Sequence, residues 1–322
     1  MCAFTAAQLA MKGEVFNALS EAARTREPVV LAILSRVQGS SPQKAGAKAV
    51  FRADTRIEGT LGGGCLEAEI QRRSLQSLKT GLPECFELLL DHDFGWDDGL
   101  ICGGKVHGLI LPNAHNAGEA FWSALAQRAQ SIGWGVKADY SIQRLTDNQN
   151  TEKWLYRETV APPWGLWIAG AGHISQAVAP LATQLDFRVT VFDDRPTLLS
   201  REFFAKPVEL KADLWENLLH LPSPAGPCFA LIVTRGHRHD ALVLRHWIHV
   251  PFSFVGMIGS ARKARTIYEH FIDEGIATPE QIRRVTCPVG LSIKASSVME
   301  IAVSILAQLI EKRAELQAGK AT

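Results

Sequence analysis

The segment Leu166-Trp-Ile-Ala-Gly170-Ala-Gly172-His-Ile-Ser175 narrows the folds open to this chain more than any other stretch. An apolar run leads into two glycines separated by one residue, and a segment of helical periodicity follows. Gly170 permits a tight turn, and Gly172 lets a phosphate approach the backbone. The N–H groups at the helix start supply positive charge. Ser175 fills the third small position, where glycine or alanine is usual, and serine is small enough for close helix–strand packing. Asp193 lies 21 residues beyond Gly172, at the end of the next apolar run, where a carboxylate can accept hydrogen bonds from a ribose. The pattern predicts a Rossmann-like half, in which valine at position 172 would block a phosphate and strain the turn. It leaves the ligand open between NAD, a cofactor with a nucleotide or pterin phosphate, and a vestigial site. His173 either reaches that ligand or caps the helix and faces solvent.

The alternation continues downstream. Strands are expected at Arg188–Phe192, Phe229–Val233 and Ser253–Ile258, with helices over 174–185, 239–248 and from Ala261. That order reads as a parallel sheet with helical crossovers. A last helix over about 296–314 carries Ile301, Ile305, Leu306 and Ile310 on an apolar stripe. Upstream, the predicted order is a helix over 8–25, strands Val29–Val37, Ala47–Arg52 and Arg56–Thr60, a helix from Leu66 to Leu78, and strands Glu84–Leu90 and Lys105–Leu111. The reading is therefore α/β: an N-terminal α/β domain over 1–115, a helical then irregular linker region over 116–163, and a Rossmann-like domain over 164–322. Pro162-Pro163 marks the boundary, because proline resists both helix interiors and strand ladders.

With 34 Lys+Arg against 33 Asp+Glu, the chain lacks the overall basic balance of a dedicated nucleic-acid binder. Its longest apolar stretches, near 29–34 and 300–309, are too short to span a bilayer. Six cysteines without a dense pattern or a Cys-x-x-Cys pair read as reduced thiols in a cytoplasmic protein.

Two further loops suit anions. Thr234-Arg-Gly-His-Arg-His-Asp240 follows an apolar strand and offers Arg235 and His237 for anion binding or proton transfer. Asp240 either joins them or caps the next helix, and His-x-His-Asp is not a specific metal spacing. Gly256-Met-Ile-Gly259-Ser260-Ala-Arg262-Lys263-Ala-Arg265 repeats the logic one strand later, with Ser260 as N-cap or phosphate donor. Its cations oppose the helix dipole, and a bound anion would resolve the conflict. In the N-terminal half, Cys65 follows three glycines at a helix start, where backbone N–H groups favour a thiolate. Cys102 stands beside Gly103 and Gly104. Each thiol is either a ligand contact or a buried inert group. Ser41-Pro-Gln-Lys44 and Lys48 are candidate donors toward the same ligand.

Together these pieces resemble the XdhC/CoxI family, accessory proteins of xanthine dehydrogenase and related molybdenum hydroxylases. The N-terminal pieces are Gly39-Ser-Ser-Pro42, Gly59-Thr-Leu-Gly-Gly-Gly64-Cys65-Leu-Glu67 and Cys102-Gly-Gly104. The C-terminal pieces are Gly170-Ala-Gly-His173, Phe192-Asp-Asp-Arg-Pro196, Thr234-Arg-Gly-His237, Gly256-Met-Ile-Gly-Ser260 and Pro288-Val-Gly-Leu291. The resemblance implies a chaperone that binds the molybdenum cofactor (molybdopterin), protects it during sulfuration by a cysteine desulfurase, and assists its insertion into a xanthine dehydrogenase-type molybdoenzyme. It makes Cys65, Glu67 and Cys102 candidates for contact with cofactor or sulfur. It assigns the pterin or an appended nucleotide to Gly170, Gly172, His173, Asp193, Arg235, His237, Gly259, Ser260 and Arg262. A homodimer is expected, and no catalytic or metal-ligating residue is assigned. The chain departs from the family at Gln43, where arginine is usual, and at Thr286-Cys287-Pro288, where His-Ala-Pro is usual. Two other readings compete: an NAD(P)-dependent oxidoreductase, which lacks a Tyr-x-x-x-Lys pair here, and a docking adaptor with a vestigial nucleotide site. Enzyme status stays open.

Overall fold

The computed structural model describes residues 13–90, 104–146 and 153–318. The chain divides into two compact units, Met1–Pro162 and Pro163–Thr322.

The first unit contains α1 (Glu14–Thr25), β1 (Val29–Gln38), β2 (Lys48–Arg52), β3 (Ile57–Gly59), α2 (Gly64–Thr80), β4 (Glu84–Leu90), β5 (Gly104–Pro112), α3 (Glu119–Gln127), β6 (Ile132–Lys137), β7 (Ile142–Arg144) and β8 (Trp154–Val160). Its main sheet has the order β3-β2-β1-β5-β4 and is antiparallel at every pairing. The first six residues of β1 are apolar and buried on both faces. Val30, Ala32 and Leu34 pack with Leu66 and Ile70 of α2, while Val29, Leu31 and Ile33 pack with Phe16, Leu19, Trp122 and Trp134. A strand with helices over both faces reads as a continuous apolar run, as this one does.

The expected linker over 116–163 is corrected. Its residues form α3 and a separate antiparallel sheet, β7-β6-β8, whose Ile132, Trp134, Val136, Tyr156 and Val160 share one core with α1. The two glycines of β6, Gly133 and Gly135, disguised it as irregular. A Cβ at Gly135 would lie 2.5 Å from the Tyr156 carbonyl and 2.7 Å from the Trp154 ring, so glycine is there to admit them.

On α2, Glu69 accepts hydrogen bonds from Arg72 and Arg73. The Arg72 bond outweighs burial and, with Arg73, holds the carboxyl at about 2. A depressed carboxyl stabilises the fold above its unfolded value of 4.5 and loses that contribution as pH falls toward 2. Wild type and Glu69→Gln should therefore differ in thermal midpoint at neutral pH and converge on acidification through that window. Curves that stay parallel would refute the linkage.

The second unit contains β9 (Trp164–Ala169), α4 (His173–Gln184), β10 (Phe187–Asp193), β11 (Glu209–Ala212), α5 (Trp215–Leu218), β12 (Cys228–Ile232), α6 (His237–Trp247), β13 (Phe254–Met257), α7 (Ala261–Asp273), α8 (Pro279–Arg283), β14 (Val285–Thr286) and α9 (Val298–Ala318). The sheet order is β11-β10-β9-β12-β13-β14, parallel throughout. This is the doubly wound Rossmann order, with its switch point between β9 and β12. Helices α4 and α9 cover one face, and α6 and α7 the other. Two strands were not legible beforehand: β11 is mostly exposed and β14 has two residues, so neither carries an apolar run. In α9 the buried stripe is Ala302, Ile305, Leu306 and Leu309, and Ile310 is 40% exposed, so the expected stripe is rotated. No helix among the described residues is long and apolar enough to cross a membrane.

Candidate functional site

In the first unit three of the singled-out segments converge. Gly62, Gly63 and Gly64 have φ of 115°, 71° and 59°, a run of left-handed residues that only glycine adopts readily. The turn delivers Cys65, partly exposed, as the second residue of α2. A Cβ at Gly62 would lie 2.7 Å from Pro42, and one at Gly104 would lie 1.9 Å from the Ser40 carbonyl oxygen. The Ser40–Pro42 segment is thus wedged against both glycines. Ser41 Oγ is buried there with no hydrogen-bond partner among the described residues. Over Gly63 and Gly64 a Cβ would meet nothing within 4 Å. The first N–H groups of a helix have no intrahelical acceptor, so helix-start donors and a thiol stand together at this turn.

Glu67 is engaged within the loop itself. Its Oε2 accepts from Thr60 Oγ1 at 3.0 Å, the Leu61 N–H at 3.1 Å and the Gly63 N–H at 3.0 Å. It closes the glycine turn and presets its shape. Glu67→Ala should remove about 1.5–3 kcal/mol of local stability, typical of hydrogen bonds to a charged group. Faster amide exchange at Leu61 and Gly63 is the readout; unchanged exchange would contradict the role. Lys48 is also reassigned. Its side chain is 7% exposed, with Nζ 2.7 Å from Glu158 and over the rings of Phe16, Trp134 and Tyr156 at 5.4–5.9 Å. An ammonium so enclosed belongs to the core. Cys102 lies outside the described residues.

In the second unit Gly170 has φ 107°, and a Cβ there would lie 2.4 Å from the Val233 carbonyl oxygen. Gly172 is the N-cap of α4 with φ −75°, and a Cβ there would meet nothing within 4 Å. Ser175 is fully buried and its hydroxyl donates to the Gly170 carbonyl, so the hydroxyl ties helix to turn where a smaller residue would only fit. His173 is exposed at the first position of α4.

Asp193 is 1% exposed and fully engaged. Oδ2 accepts from the Ala171 N–H at 2.7 Å and Arg195 Nη2 at 2.9 Å; Oδ1 accepts from the Arg195 N–H at 2.9 Å and Nε at 2.8 Å. Burial pushes its carboxyl up, and those bonds more than offset this and hold it below its ordinary value. This carboxylate braces the glycine turn. Asp194 pairs with Arg235 through bonds of 3.2 and 2.8 Å, and Arg235 Nη2 lies 2.9 Å from His239 Nε2. Arg235 and His237 remain exposed at the sheet's C-terminal edge.

The charge conflict at α7 is resolved within the chain. Lys263 Nζ lies 2.5 Å from Oδ2 of Asp240, which is 1% exposed and whose Oδ1 also accepts from the Thr234 N–H and hydroxyl. Asp240 therefore bridges two helices and a strand end instead of capping α6. Ser260 is the N-cap, accepting from the Lys263 N–H at 3.2 Å. Gly259 has φ 147°, with Lys263 and Cys287 beside the position of its missing side chain, and Arg262 is exposed. The Lys263–Asp240 pair joins residues 23 apart on different helices, and no spacing rule announces it.

The class this defines is a two-unit α/β protein: one unit is a Rossmann-type domain whose ribose-position carboxylate is internally satisfied, and the other is an antiparallel domain bearing a glycine–cysteine loop. Residues 22–91 match the model described as "XdhC and CoxI family", and residues 166–309 match "XdhC Rossmann domain". The chain belongs to the XdhC/CoxI family. It is 25% identical to a probable xanthine dehydrogenase subunit of Bacillus subtilis (strain 168), over 94% of this chain and 98% of that one. It is 25% identical to the Molybdenum cofactor insertion chaperone PaoD of Escherichia coli (strain K12), over 91% of this chain and 86% of that one. A crystal structure described as a xanthine dehydrogenase from Bacillus halodurans superposes with TM-score 0.79 at 25% identity, covering 94% of this chain and 96% of that one.

Proposed function

We propose that this protein is an accessory chaperone of molybdoenzyme maturation. It holds the molybdenum cofactor as cargo, supports its sulfuration by a cysteine desulfurase, and assists its insertion into a xanthine dehydrogenase-type client. Similarity along nearly the whole chain to a protein named as a molybdenum cofactor insertion chaperone supports the accessory role. The observation that carries it to residues is the loop at Gly62–Cys65, where a thiol and helix-start donors stand at an uncrowded glycine turn. That donor set suits a group combining a soft metal-bound sulfur with anionic oxygens.

Cys65 would offer its sulfur to the cargo, and the α2 N–H groups would hold its oxygens. Glu67 keeps the loop in shape for this. In the Rossmann-like unit, taken by itself, the uncrowded N-cap at Gly172 would take a phosphate or a nucleotide, with Arg235 and His237 exposed at the C-terminal edge of the same sheet. The cargo itself would supply the molybdenum centre that the client uses.

The test is molybdenum and pterin content after anaerobic purification from cells making the cofactor. Near-stoichiometric amounts of both are expected. Neither, in a folded protein that also refuses added cofactor, would overturn the reading in favour of an NAD enzyme or a docking adaptor. Cys65→Ala should lower client activation while leaving the fold intact, because a partly exposed helix-start thiol contributes little packing. Normal activation by that variant would remove Cys65 from the mechanism.

A further inference from the structure

At the far end of α2 from Cys65, the first unit holds a cavity of about 330 Å³ whose described lining carries no charged side chain. Cys65 starts the helix and Gly81 closes it, so the two stand about 24 Å apart along it. The cavity lies among that helix end, the end of β5 and the turn that joins β6 to β7. Leu111 and Ala114, both buried, give it apolar lining together with Pro83, Pro112 and Ile142. Two carboxamides line it as well, Asn113 and Asn116. Asn113 is the N-cap of the short turn Ala114–Ala117, yet its side chain makes no cap bond, as asparagine in a cap position usually does. Neither carboxamide has a partner among the described residues, and neither is sealed from solvent.

Tyr140, on the same wall, has an unusual backbone. Its N–H bonds the Lys137 carbonyl and the Lys137 N–H bonds the Ser141 carbonyl, both at 2.9 Å, so the chain reverses tightly with Tyr140 at φ 66°. Glycine is the usual residue where such a turn goes left-handed, and a bulky side chain there is an outlier. The ring is only partly buried against the core. Its hydroxyl donates to Cys85 Sγ at 3.5 Å, and sulfur is a weak acceptor, so the bond returns little for the strain. It does fix where the ring stands. Backbone held in a costly conformation collects at ligand clamps.

Apolar walls, an aromatic ring, two free carboxamides and no charge suit a neutral ligand. Each carboxamide presents a donor and an acceptor side by side, the complement of an amide or lactam edge. A volume of about 330 Å³ is near the small end of ligand pockets and fits one or two rings. We propose that this cavity binds a neutral one- or two-ring heterocycle through an amide or lactam edge, with Asn113 reading the edge and Tyr140 standing against the ring. The cargo proposed above is anionic, and no cation among the described residues lines this cavity. The cavity therefore takes a separate ligand, and this inference does not rest on the carrier role.

The probes are nicotinamide and hypoxanthine, with nicotinate as the control that exchanges the amide for a charge. Each is titrated into the full-length protein and followed by calorimetry or ligand-detected NMR. At least one neutral probe should bind with a Kd below about 1 mM, a weak but specific affinity. Nicotinate should bind about tenfold more weakly than nicotinamide or worse, because the cavity offers its charge no partner. Asn113→Gly keeps a residue that accepts the left-handed backbone and removes only the carboxamide, so affinity should fall about tenfold, the worth of one net hydrogen bond. Tyr140→Gly suits the φ of 66° and should fold, with a similar loss of affinity from the missing ring. If that variant fails to fold, Asn113→Gly decides. Three results overturn the inference: no neutral probe binding below about 1 mM, nicotinate binding as well as nicotinamide, or full affinity kept by Asn113→Gly.

Discussion

Arg52→Ala is expected to destabilise the first unit by about 3 kcal/mol, the low end of the range for breaking a buried ion pair. Arg52 is 3% exposed, and its guanidinium bonds Glu58 at 2.8 Å, Glu27, and Glu21 at 3.4 Å. Removing it leaves three carboxylates converging, with Glu58 Oε2 already buried without a partner among the described residues. Glu21 and Glu27 are 58% and 35% exposed, so water takes over part of the lost interaction and the cost stays below the maximum. A domain of this size should lose roughly 6–12 °C of thermal midpoint for that change. The double variant Arg52→Met, Glu58→Gln should recover more than half of it, because removing both charges leaves less to solvate. A shift within error for Arg52→Ala would mean that the three glutamates relax into water at no cost.

The second large effect separates two glycines that the sequence presents as equivalent. Gly170→Ala should destabilise the Rossmann-like unit by roughly 3–5 kcal/mol, combining backbone strain with an overpacked contact. The φ of 107° is left-handed, and the new Cβ would lie 2.4 Å from the Val233 carbonyl oxygen and 2.8 Å from Thr234 Cα. Neither is a flexible side-chain end. Gly172→Ala should change stability by less than about 0.5 kcal/mol, since extended backbone suits any residue and the space is open. This corrects the expectation that valine at 172 would strain the turn: the strain belongs to 170. Gly172→Val should fold normally and lose affinity for cargo, because it fills the room above the helix start. Denaturant unfolding of each variant, beside cofactor content for Gly172→Val, checks both. Equal stability of the Gly170 and Gly172 variants would contradict the geometry.

Local patterns carried the α/β alternation, the boundary at Pro162-Pro163 and the placing of Cys65 and His173 at helix starts. They worked because a glycine's conformational freedom and a helix's period are properties of a few adjacent residues. They failed where apolar periodicity is weak, as in β6 with its two glycines and in the two-residue β14. At Asp193 only the position was legible. Its position after β10 was legible, but whether a carboxylate there faces a ribose or its own Arg195 depends on side-chain geometry that spacing does not encode.

The sequence by itself determined that this chain has a Rossmann-type half, which residues form its glycine turns, and which family it resembles. Those follow from short-range rules of backbone conformation and from ordered motifs. Only the tertiary structure decided that Glu67 shapes its loop and that Asp240 pairs with Lys263. The Lys263–Asp240 pair joins groups distant along the chain, and the Glu67 bonds depend on the conformation the glycine turn takes. Which charge meets which donor is set by how strands and helices pack, and no stretch of sequence contains that information alone.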